Sequence, residues 1–367
     1  MERLPPTMSG VQLTGHGGPE RLVWRDDLPV PVPGPGQALV RVLAAGVNNT
    51  DINTRLGWYA PQVTGATGDG VVGQDGGWAG ALDFPRIQGG DLCGRVVALG
   101  LDANPVWLGR RVTCPINQPE PTLADPLALR VPGSDYDGAF AQFCVVPVRH
   151  LHDVSASSLG DIEIGAMPCA YGTALNMLTR AGVVAGVAAG VVAGVAAGRR
   201  VLITGASGGV GLAAVQLAAQ AGAQVTAVTD PAKAAVVRAA GAALTLGRDD
   251  ALPEGFDAVL DVVGGPGWAA RLGALRPGGH YAVSGAIAGP MVSMDLRRLY
   301  LHDLTIHGCT HQPPAVFATL VALINAAVLR PVIAATYPLR DIALAQADFL
   351  SKRHPGKIVL LPPEPSA

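Results

Sequence analysis

Short apolar runs alternate with turn-forming residues through the first 150 residues of the chain. Runs such as 38–43, 94–99 and 140–146 are separated by Pro and Gly turns, a pattern that is typical of a barrel-like β domain. A second pattern begins near residue 159 and continues to residue 310, where short apolar strands alternate with helical segments. The predicted strands of this part are 200–204, 224–228, 243–246, 258–261, 281–284 and 305–309.

This alternation of strands and helices predicts a parallel sheet that is covered by helices on both faces. The last fifty or so residues return to mixed structure and end in a strand-like run, Lys357 to Leu361. We predict that this run packs back onto the first domain.

A glycine-rich turn follows the predicted strand 200–204 and opens directly onto a helix. Gly208 allows the backbone to come close to a pyrophosphate, and Gly211 allows the helix to pack on its strand. The helix amino end offers unpaired N–H groups to the anion. The turn therefore predicts a dinucleotide site, with a plain strand–helix turn as the alternative. The predicted contacts in this turn are Ala206, Ser207, Gly208, Gly209, Val210 and Gly211.

Composition narrows the class of protein. The chain has 367 residues, of which 49% are hydrophobic, and this predicts two domains with a sizeable core. A net charge of -2 provides no basic face, so nucleic acid is not an expected partner. The amino terminus has no apolar signal core and the apolar tracts are interrupted by glycine, which predicts a cytoplasmic protein without a membrane partner. Five dispersed cysteines suit reduced thiols.

Two segments look inserted. Residues 181–196 are one octapeptide, Ala-Gly-Val-Val-Ala-Gly-Val-Ala, written twice, and we assign this repeat no catalytic role. Residues 60–83 carry seven glycines between Gly65 and Gly80. This second segment is predicted to be a mobile loop, or alternatively a lid over the mouth of the substrate site.

Five phrases in order resemble the medium-chain dehydrogenase/reductase superfamily, and within it the zinc-independent quinone oxidoreductase branch. They are AAGVNNTDINTRLGWY (44–59), FPRIQGGDLCGRVVALG (84–100), DGAFAQFCVVP (137–147), TGASGGVG (204–211) and HPGKIVL (354–360). The resemblance implies an α/β fold with a GroES-like β-barrel catalytic domain over 1–157 and a Rossmann domain that binds NADP over 158–318. Residues 319–367 would return to the catalytic domain.

Related alcohol dehydrogenases bind a catalytic zinc through a Cys in G-V-C-x-T-D, through G-H-E and through a later Cys. The matching positions here are Asn48, Gly90-Asp91 and Cys169. A catalytic zinc needs three protein ligands and an open position, and one cysteine does not supply them. We therefore predict no metal, with a substitute site of Asp91, Cys169 and a histidine as the alternative.

The resemblance implies that Asn48, Asp51 and Tyr59 line the nicotinamide and substrate pocket. Asn48 would donate its amide to the substrate oxygen or to the nicotinamide ribose, Tyr59 would donate a second hydrogen bond, and Asp51 would fix the local polar network. Capping of a helix over 50–56 is the alternative role for residues 48–51. Asn53 stands where some relatives carry a second tyrosine, and Thr173 resembles a position near the nicotinamide.

Cofactor choice depends on the end of the second Rossmann strand, where NAD-preferring folds carry an acid. Thr229 and Lys233 follow Val228, and Lys233 matches a phosphate-binding lysine of the quinone reductases, which favours NADPH over NADH. Asp230 opposes this preference if it faces the 2'-phosphate, and merely caps the next helix if it points outward. Further contacts are predicted at the carboxyl ends of later strands. They are Val262, Val263, Ser284, Gly285, Gly308 and Thr310.

These observations predict an NADPH-dependent reductase for quinones or activated alkenes, because without zinc a delocalised negative charge is easier to stabilise than an alkoxide. A zinc-independent carbonyl reductase or alcohol dehydrogenase is one alternative. A nicotinamide-binding protein without turnover is another. Relatives pair the sixth strands of two Rossmann sheets, so a homodimer is expected to form through residues 305–309.

Overall fold

A computed structural model describes residues 4–67, 69, 73, 76–78, 80–188, 191–194 and 197–365. The strands of the amino-terminal part are β1 (Thr7–Leu13), β2 (Leu22–Pro29), β3 (Gln37–Gly46), β4 (Arg86–Ile87), β5 (Cys93–Leu99), β6 (Arg111–Thr113), β7 (Gln118–Pro119), β8 (Leu129–Arg130), β9 (Phe143–Pro147) and β10 (His152–Asp153). The helices up to residue 180 are α1 (Asn49–Leu56), α2 (Asp161–Gly165) and α3 (Pro168–Arg180).

Strands and helices alternate in the middle of the chain. The strands are β11 (Val184–Ala188), β12 (Val191–Gly194), β13 (Arg200–Ile203), β14 (Gln224–Val228), β15 (Leu244–Leu246), β16 (Phe256–Asp261), β17 (Leu275–Val283) and β18 (Thr305–Gly308). The helices are α4 (Gly209–Gln220), α5 (Ala234–Ala239), α6 (Trp268–Gly273) and α7 (Leu296–Leu301). The carboxyl-terminal elements are α8 (Pro314–Ala326), β19 (Ile333–Pro338), α9 (Ile342–Ser351) and β20 (Lys357–Leu361).

The middle segment forms one parallel sheet in the order β15-β14-β13-β16-β17-β18. Side chains alternate between its two faces because successive residues of a strand point in opposite directions. Val201 and Ile203 join a core with α3, α4 and α8, whereas Leu202 joins Trp268 and Leu272 of α6 on the other face. The predicted doubly wound sheet is confirmed, with all six predicted strands in place.

The amino-terminal strands form a separate apolar core around β3. Strand β3 pairs antiparallel with β5 and with β9, and β5 continues the sheet through β6 to β10. The buried side chains of this core include Leu39, Val40, Phe140 and Phe143. This is the predicted barrel-like β domain.

The end of the chain returns to this first core. Strand β20 pairs in parallel with β19 and antiparallel with β3, where Val359 faces Gly46 and Leu360 faces Ala45. Ile358 and Leu360 lie buried among the side chains of the barrel. This pairing places Lys357 beside the end of β3.

The repeated octapeptide contains an antiparallel pair of strands rather than a helix. Its strand β11 pairs with β12, with Val187 opposite Val192 and Ala188 opposite Val191. Glycine at every fourth position weakens a helix, and β-branched valines favour strands. Among the described residues, no helix is both long enough and apolar enough to cross a membrane.

A buried arginine joins α1 to the two ends of the chain. The Arg55 side chain is only 2% exposed; its Nε donates to Gln346 Oε1 of α9 at 3.0 Å and its Nη1 to the Gly17 carbonyl at 2.6 Å. Burial lowers the pKa of this guanidinium. The cost of desolvating the charge is offset by these hydrogen bonds, so losing them leaves buried acceptors without donors.

We predict that Arg55→Met lowers the stability of the protein by about 2–3 kcal/mol, because it removes two charge-assisted hydrogen bonds from a buried site. Thermal unfolding measures the change. Arg297→Met is the control, since Arg297 and Asp295 form an exposed ion pair, and its effect should stay within about 0.5 kcal/mol. Equal effects of the two substitutions would contradict this account of Arg55.

Candidate active site

The glycine-rich turn joins β13 to α4 with the geometry expected of a dinucleotide site. Gly205 has a φ of +58°, which a residue with a side chain rarely adopts. A Cβ added to Gly211 would lie 2.3 Å from the Gly205 carbonyl oxygen, so the absence of a side chain allows α4 to pack there. A Cβ added to Gly208 would meet only that same oxygen at 3.4 Å. Gly208 therefore faces open space at the first turn of α4.

The other residues predicted to bind the cofactor lie around this turn. Val262 and Val263 pack against Gly205, since a Cβ there would approach them at 2.9 and 3.3 Å. A Cβ on Gly285 would lie 2.9 Å from the Val262 carbonyl oxygen. Ser284 donates its hydroxyl to the Cys309 carbonyl at 3.2 Å, next to Gly308 and Thr310. The structure thus brings these strand ends together; their contacts with a cofactor stay predictions.

The segment after β14 has the polar character expected near a ribose phosphate. Thr229 is buried, and its hydroxyl has no partner among the described residues. Asp230 accepts a hydrogen bond from the Ala232 N–H at 2.9 Å, so its carboxylate caps the short turn of residues 231–233. Lys233 donates to the Lys352 carbonyl. Of the two roles that the sequence leaves open for Asp230, the structure shows the cap.

A carboxylate that sequence reasoning missed holds the strand ends in place. Asp261, at the end of β16, is fully buried and accepts hydrogen bonds from Thr204 Oγ1, the Val263 N–H and Tyr281 Oη at 2.5, 2.9 and 2.5 Å. Arg271 Nε lies 3.3 Å from its Oδ2. Burial, and then the charge of Asp261, raise the pKa of Tyr281. A charged residue at the end of the apolar strand FDAVLD is the signal that could have identified it.

Asn48 and Asp51 lie between the end of β3 and the first turn of α1. The Asp51 carboxylate accepts the Asn48 backbone N–H at 2.8 Å, which is half of a capping box. Burial raises the pKa of Asp51 to about 7, partly offset by that hydrogen bond; nearby Asp91 also raises it and Lys357 lowers it. Asp51 therefore changes its charge close to neutral pH.

The Asn48 side chain points to charged groups rather than to the helix. Its Nδ2 donates to Asp91 Oδ2 at 2.9 Å and makes a long contact of 3.4 Å with the Gly46 carbonyl, while its Oδ1 accepts from Lys357 Nζ. One amide hydrogen is thus firmly held and the other weakly. The predicted donation to a substrate stays a prediction, and it would use the weakly held hydrogen.

Tyr59 lies in an aromatic group at the same site. Its ring meets Trp58 edge-on at 5.5 Å and lies nearly parallel to Trp78 at 6.3 Å between ring centroids. Burial raises the pKa of Tyr59 well above its usual value, so its side chain is a neutral phenol that can donate a hydrogen bond.

Trp78 also packs on Ile116, Val131 and Cys169, which form an apolar wall. Thr173 is buried one helical turn after Cys169 on α3.

Only part of the predicted loop or lid, residues 60–83, is described. Trp58 Nε1 donates to the Gly65 carbonyl at 3.1 Å, and the Thr67 N–H donates to the Ile287 carbonyl at 3.1 Å. Ile287 belongs to the segment after β17, so the described part of the loop contacts the nucleotide-binding half. The interpretation of the segment as a lid also involves residues 68, 70–72, 74, 75 and 79, which lie outside the described residues.

A catalytic zinc does not fit the residues at the three matching positions. Asp91 is fully buried and its oxygens accept the Cys169 N–H at 2.6 Å, Asn48 Nδ2 at 2.9 Å and Lys357 Nζ at 3.0 Å. The Lys357 ammonium is therefore bound to the same side chains that would have to coordinate a zinc ion. In the described part of the chain, no three His, Cys, Asp or Glu side chains are grouped to hold a metal. Sequence reasoning assigned Lys357 no role, although a lysine within a predicted buried strand was a signal.

Comparisons with known proteins agree with this architecture. A family model described as an alcohol dehydrogenase GroES-like domain matches residues 34–156, and one described as a zinc-binding dehydrogenase matches residues 221–360. A solved structure of a candidate alcohol dehydrogenase from Sinorhizobium meliloti 1021 is 38% identical, covers 99% of each chain and has a TM-score of 0.85.

Two curated relatives differ in the activity that their names state. The L-threonine 3-dehydrogenase of Streptomyces coelicolor is 29% identical and the match covers 92% of this chain and 95% of the relative. The quinone oxidoreductase of Lama guanicoe is 26% identical, with 96% and 97% covered. The similarity extends over both halves of the chain in each case.

We predict that Gly211→Ala and Gly208→Ala separate packing from cofactor binding. Gly211→Ala places a Cβ against backbone that cannot move freely, and should cost about 1–3 kcal/mol of stability as well as weakening NADPH binding. Gly208→Ala should leave the melting temperature unchanged and weaken NADPH binding, because its Cβ occupies the space that a pyrophosphate needs.

Thermal unfolding without cofactor and fluorescence titration with NADPH measure the two effects. Wild-type NADPH affinity in a folded Gly208→Ala variant would contradict the assignment of the turn to the pyrophosphate.

Proposed function

The chain belongs to the medium-chain dehydrogenase/reductase superfamily, and we propose that it is an NADPH-dependent reductase of quinones or activated alkenes that works without zinc. The coarser description, an oxidoreductase of this superfamily that uses a nicotinamide cofactor, follows from its relatives. One observation carries the finer proposal: the Lys357 ammonium lies against Asp91 and Asn48, at positions that bind zinc in the alcohol dehydrogenases.

The chemistry of the acceptor follows from this observation. A bound NADPH would supply the hydride, and a proton from solvent would complete the two-electron reduction of the acceptor. Reduction of an isolated carbonyl concentrates negative charge on one oxygen, which zinc stabilises as a Lewis acid. In a quinone or an enone the charge spreads over a conjugated system, so neutral hydrogen-bond donors are sufficient.

The residues of this chain supply such donors. Tyr59 would donate its phenolic hydrogen to the acceptor oxygen. Asn48 would donate its weakly held amide hydrogen, whose contact with the Gly46 carbonyl is long, at 3.4 Å. Asp51 keeps the backbone at Asn48 in place. The apolar wall of Ile116, Val131, Cys169 and Trp78 would hold the conjugated part of the substrate and exclude water.

The residues around the glycine-rich turn fit a nicotinamide dinucleotide. The first turn of α4 and the open face of Gly208 would hold the pyrophosphate. Thr229 and Lys233 would bind the 2'-phosphate of NADPH. The buried Thr229 hydroxyl, which has no hydrogen-bond partner within the described ranges, supports this role. The Asp230 carboxylate accepts the Ala232 N–H within its own turn, and Lys233 would exchange its hydrogen bond to the Lys352 carbonyl for one to the phosphate. These observations favour NADPH over NADH.

A second candidate function is zinc-independent carbonyl reduction or alcohol oxidation. Two of the relatives are named as an alcohol dehydrogenase and a threonine dehydrogenase, and this specific observation favours it. The two functions differ in their products, since one saturates a C=C bond or forms a hydroquinone, whereas the other forms an alcohol.

The proposed assembly is a homodimer. In the described sheet, β18 is an edge strand, and an unpaired edge is a site for pairing with another chain. The neighbouring helix α7 exposes the large apolar side chains Leu296, Tyr300 and Leu301. A second copy that extends the sheet at β18 would cover them.

We predict that the protein with NADPH reduces a quinone to a hydroquinone and an enone to the saturated ketone with its carbonyl intact, and that it leaves the saturated ketone unreduced. The reason is that the Asp91 and Asn48 side chains, which would have to hold a Lewis acid, are bound to the Lys357 ammonium instead. Product analysis by mass spectrometry and NMR provides the measurement. Alcohol formed from the saturated ketone would favour carbonyl reduction, and NADPH binding without turnover of any acceptor would favour a non-catalytic binding protein.

Tyr59→Phe tests the role of the phenol in this assay, because it removes one hydroxyl from the aromatic group. Loss of one donor to a developing oxyanion should lower kcat about 100-fold, with NADPH affinity unchanged.

We predict that Lys233→Ala weakens NADPH binding about tenfold and leaves NADH binding unchanged, because it removes one charge-assisted contact with the 2'-phosphate. Fluorescence titration with each cofactor measures the two dissociation constants. Arg238→Ala is the control, since this exposed cation on α5 donates to Thr245. An unchanged NADPH affinity in Lys233→Ala would remove the assignment.

A further inference from the structure

Lys357 is a buried cation with all its donors in use. Its side chain is 4% exposed, and an ammonium has three N–H donors. They are directed to the Val47 carbonyl at 2.9 Å, to Asp91 Oδ2 at 3.0 Å and to Asn48 Oδ1. Because no donor is left over, this ammonium is not positioned to donate to a substrate.

Asp91, the partner of Lys357, extends the contact to a third element. Its Oδ1 accepts the Cys169 N–H at the start of α3, and its Oδ2 accepts Asn48 Nδ2 as well as the ammonium. A Cβ added to Gly46 would lie 2.4 Å from Asp91 Oδ2, so the chain at the end of β3 comes as close as a glycine permits. The ion pair therefore ties together the three positions at which related enzymes bind zinc.

The aliphatic part of the Lys357 side chain packs against the glycine-rich turn. A Cβ added to Gly209 would lie 2.7 Å from Lys357 Cδ, and the Gly356 N–H donates to the Ser207 carbonyl at 3.0 Å. The same residue thus packs under the first turn of α4 and binds the polar groups of the candidate active site. This contact joins two parts of the protein that are distant in sequence.

We propose that Lys357 is a positioning residue whose ammonium, paired with Asp91, takes the place of a metal ion as the internal cation of the site and fixes Asn48 and the start of α3 against the glycine-rich turn. The proposal rests on the proposed function only for the interpretation of turnover. Its tests on folding and on NADPH binding do not require that the acceptor has been identified.

Charge balance makes the proposal testable. Removing one partner leaves a buried charge without compensation, whereas removing both leaves two neutral side chains of similar shape. The pKa of Asp51 depends on this charge balance, because Asp51 lies near Asp91, Lys357, Tyr59 and Cys169. The positive charge of Lys357 lowers the pKa of Asp51, and the negative charge of Asp91 raises it.

The experiment is a double-mutant cycle of Lys357→Met, Asp91→Asn and the combined variant. Each single substitution should lower the melting temperature by on the order of 10 °C and weaken NADPH binding. The combined variant should be more stable than the sum of the two losses implies. Arg330→Met and Glu163→Gln form the control cycle, since that exposed ion pair should shift the melting temperature by no more than about 1 °C.

A pH series provides a readout that a merely structural role would not move. Since the pKa of Asp51 is higher in the folded than in the unfolded protein, the folded state binds more protons, and stability falls as pH rises toward about 7. This fall should extend to higher pH in Lys357→Met, end at lower pH in Asp91→Asn, and lie near the wild type in the combined variant. Asp51→Asn should remove it.

The proposal would be supported if the pH range over which stability falls shifts in opposite directions in the two single variants. A combined variant that folds when the single variants do not would also support it. Additive losses in the cycle, a wild-type melting temperature and NADPH affinity in Lys357→Met, or stoichiometric zinc in the purified wild-type protein would each overturn it. Failure to reduce any quinone or enone, with the cycle as expected, would count against the proposed function and not against Lys357.

Discussion

The buried ion pair of Lys357 and Asp91 is the interaction on which the rest of the candidate site depends. A charge inside a protein must be paired and hydrogen-bonded, because leaving water is costly. Here the two partners are 266 residues apart, so their pairing requires that the last strand return to the first domain. The register of β20 against β3, with Val359 opposite Gly46, meets this requirement, and it places the ammonium next to Val47 and Asn48.

The same ion pair relates the electrostatics of the site to its geometry. Asp91 holds the first turn of α3 through the Cys169 N–H and holds Asn48 through its amide. Asp51 lies close enough for its pKa to respond to both charges, whereas Tyr59 stays neutral because it is buried. The site therefore combines one compensated ion pair, one carboxyl group that titrates near neutral pH and one neutral phenol. Each of these has a different capacity to interact with a reacting oxygen.

Features that depend on neighbouring residues were predictable from the sequence, and features that depend on distant ones were not. The six strands of the parallel sheet follow from local apolar runs, and the turn at 205–211 follows from glycine spacing. The pairing of Lys357 with Asp91 is a tertiary contact with no local signal beyond a lysine in an apolar strand. The direction of the Asn48 side chain was also unpredictable, because its local sequence equally suits a helix cap, and only the position of Asp91 decides between the two. The strands of the octapeptide repeat are a third case, since a glycine period of four has no unique structure.

Substituting an ammonium for a metal ion changes what the site can stabilise. A zinc ion keeps a coordination position open for a substrate oxygen, whereas the three hydrogens of the Lys357 ammonium are already bound to protein acceptors. The cation can thus organise the site but cannot take up charge from the substrate directly. In the proposed reaction, stabilisation would come from neutral donors such as Tyr59, which suffice when the charge is delocalised. The same scaffold that presents a Lewis acid in its metal-binding relatives would, with this one ion pair, favour conjugated acceptors over isolated carbonyls.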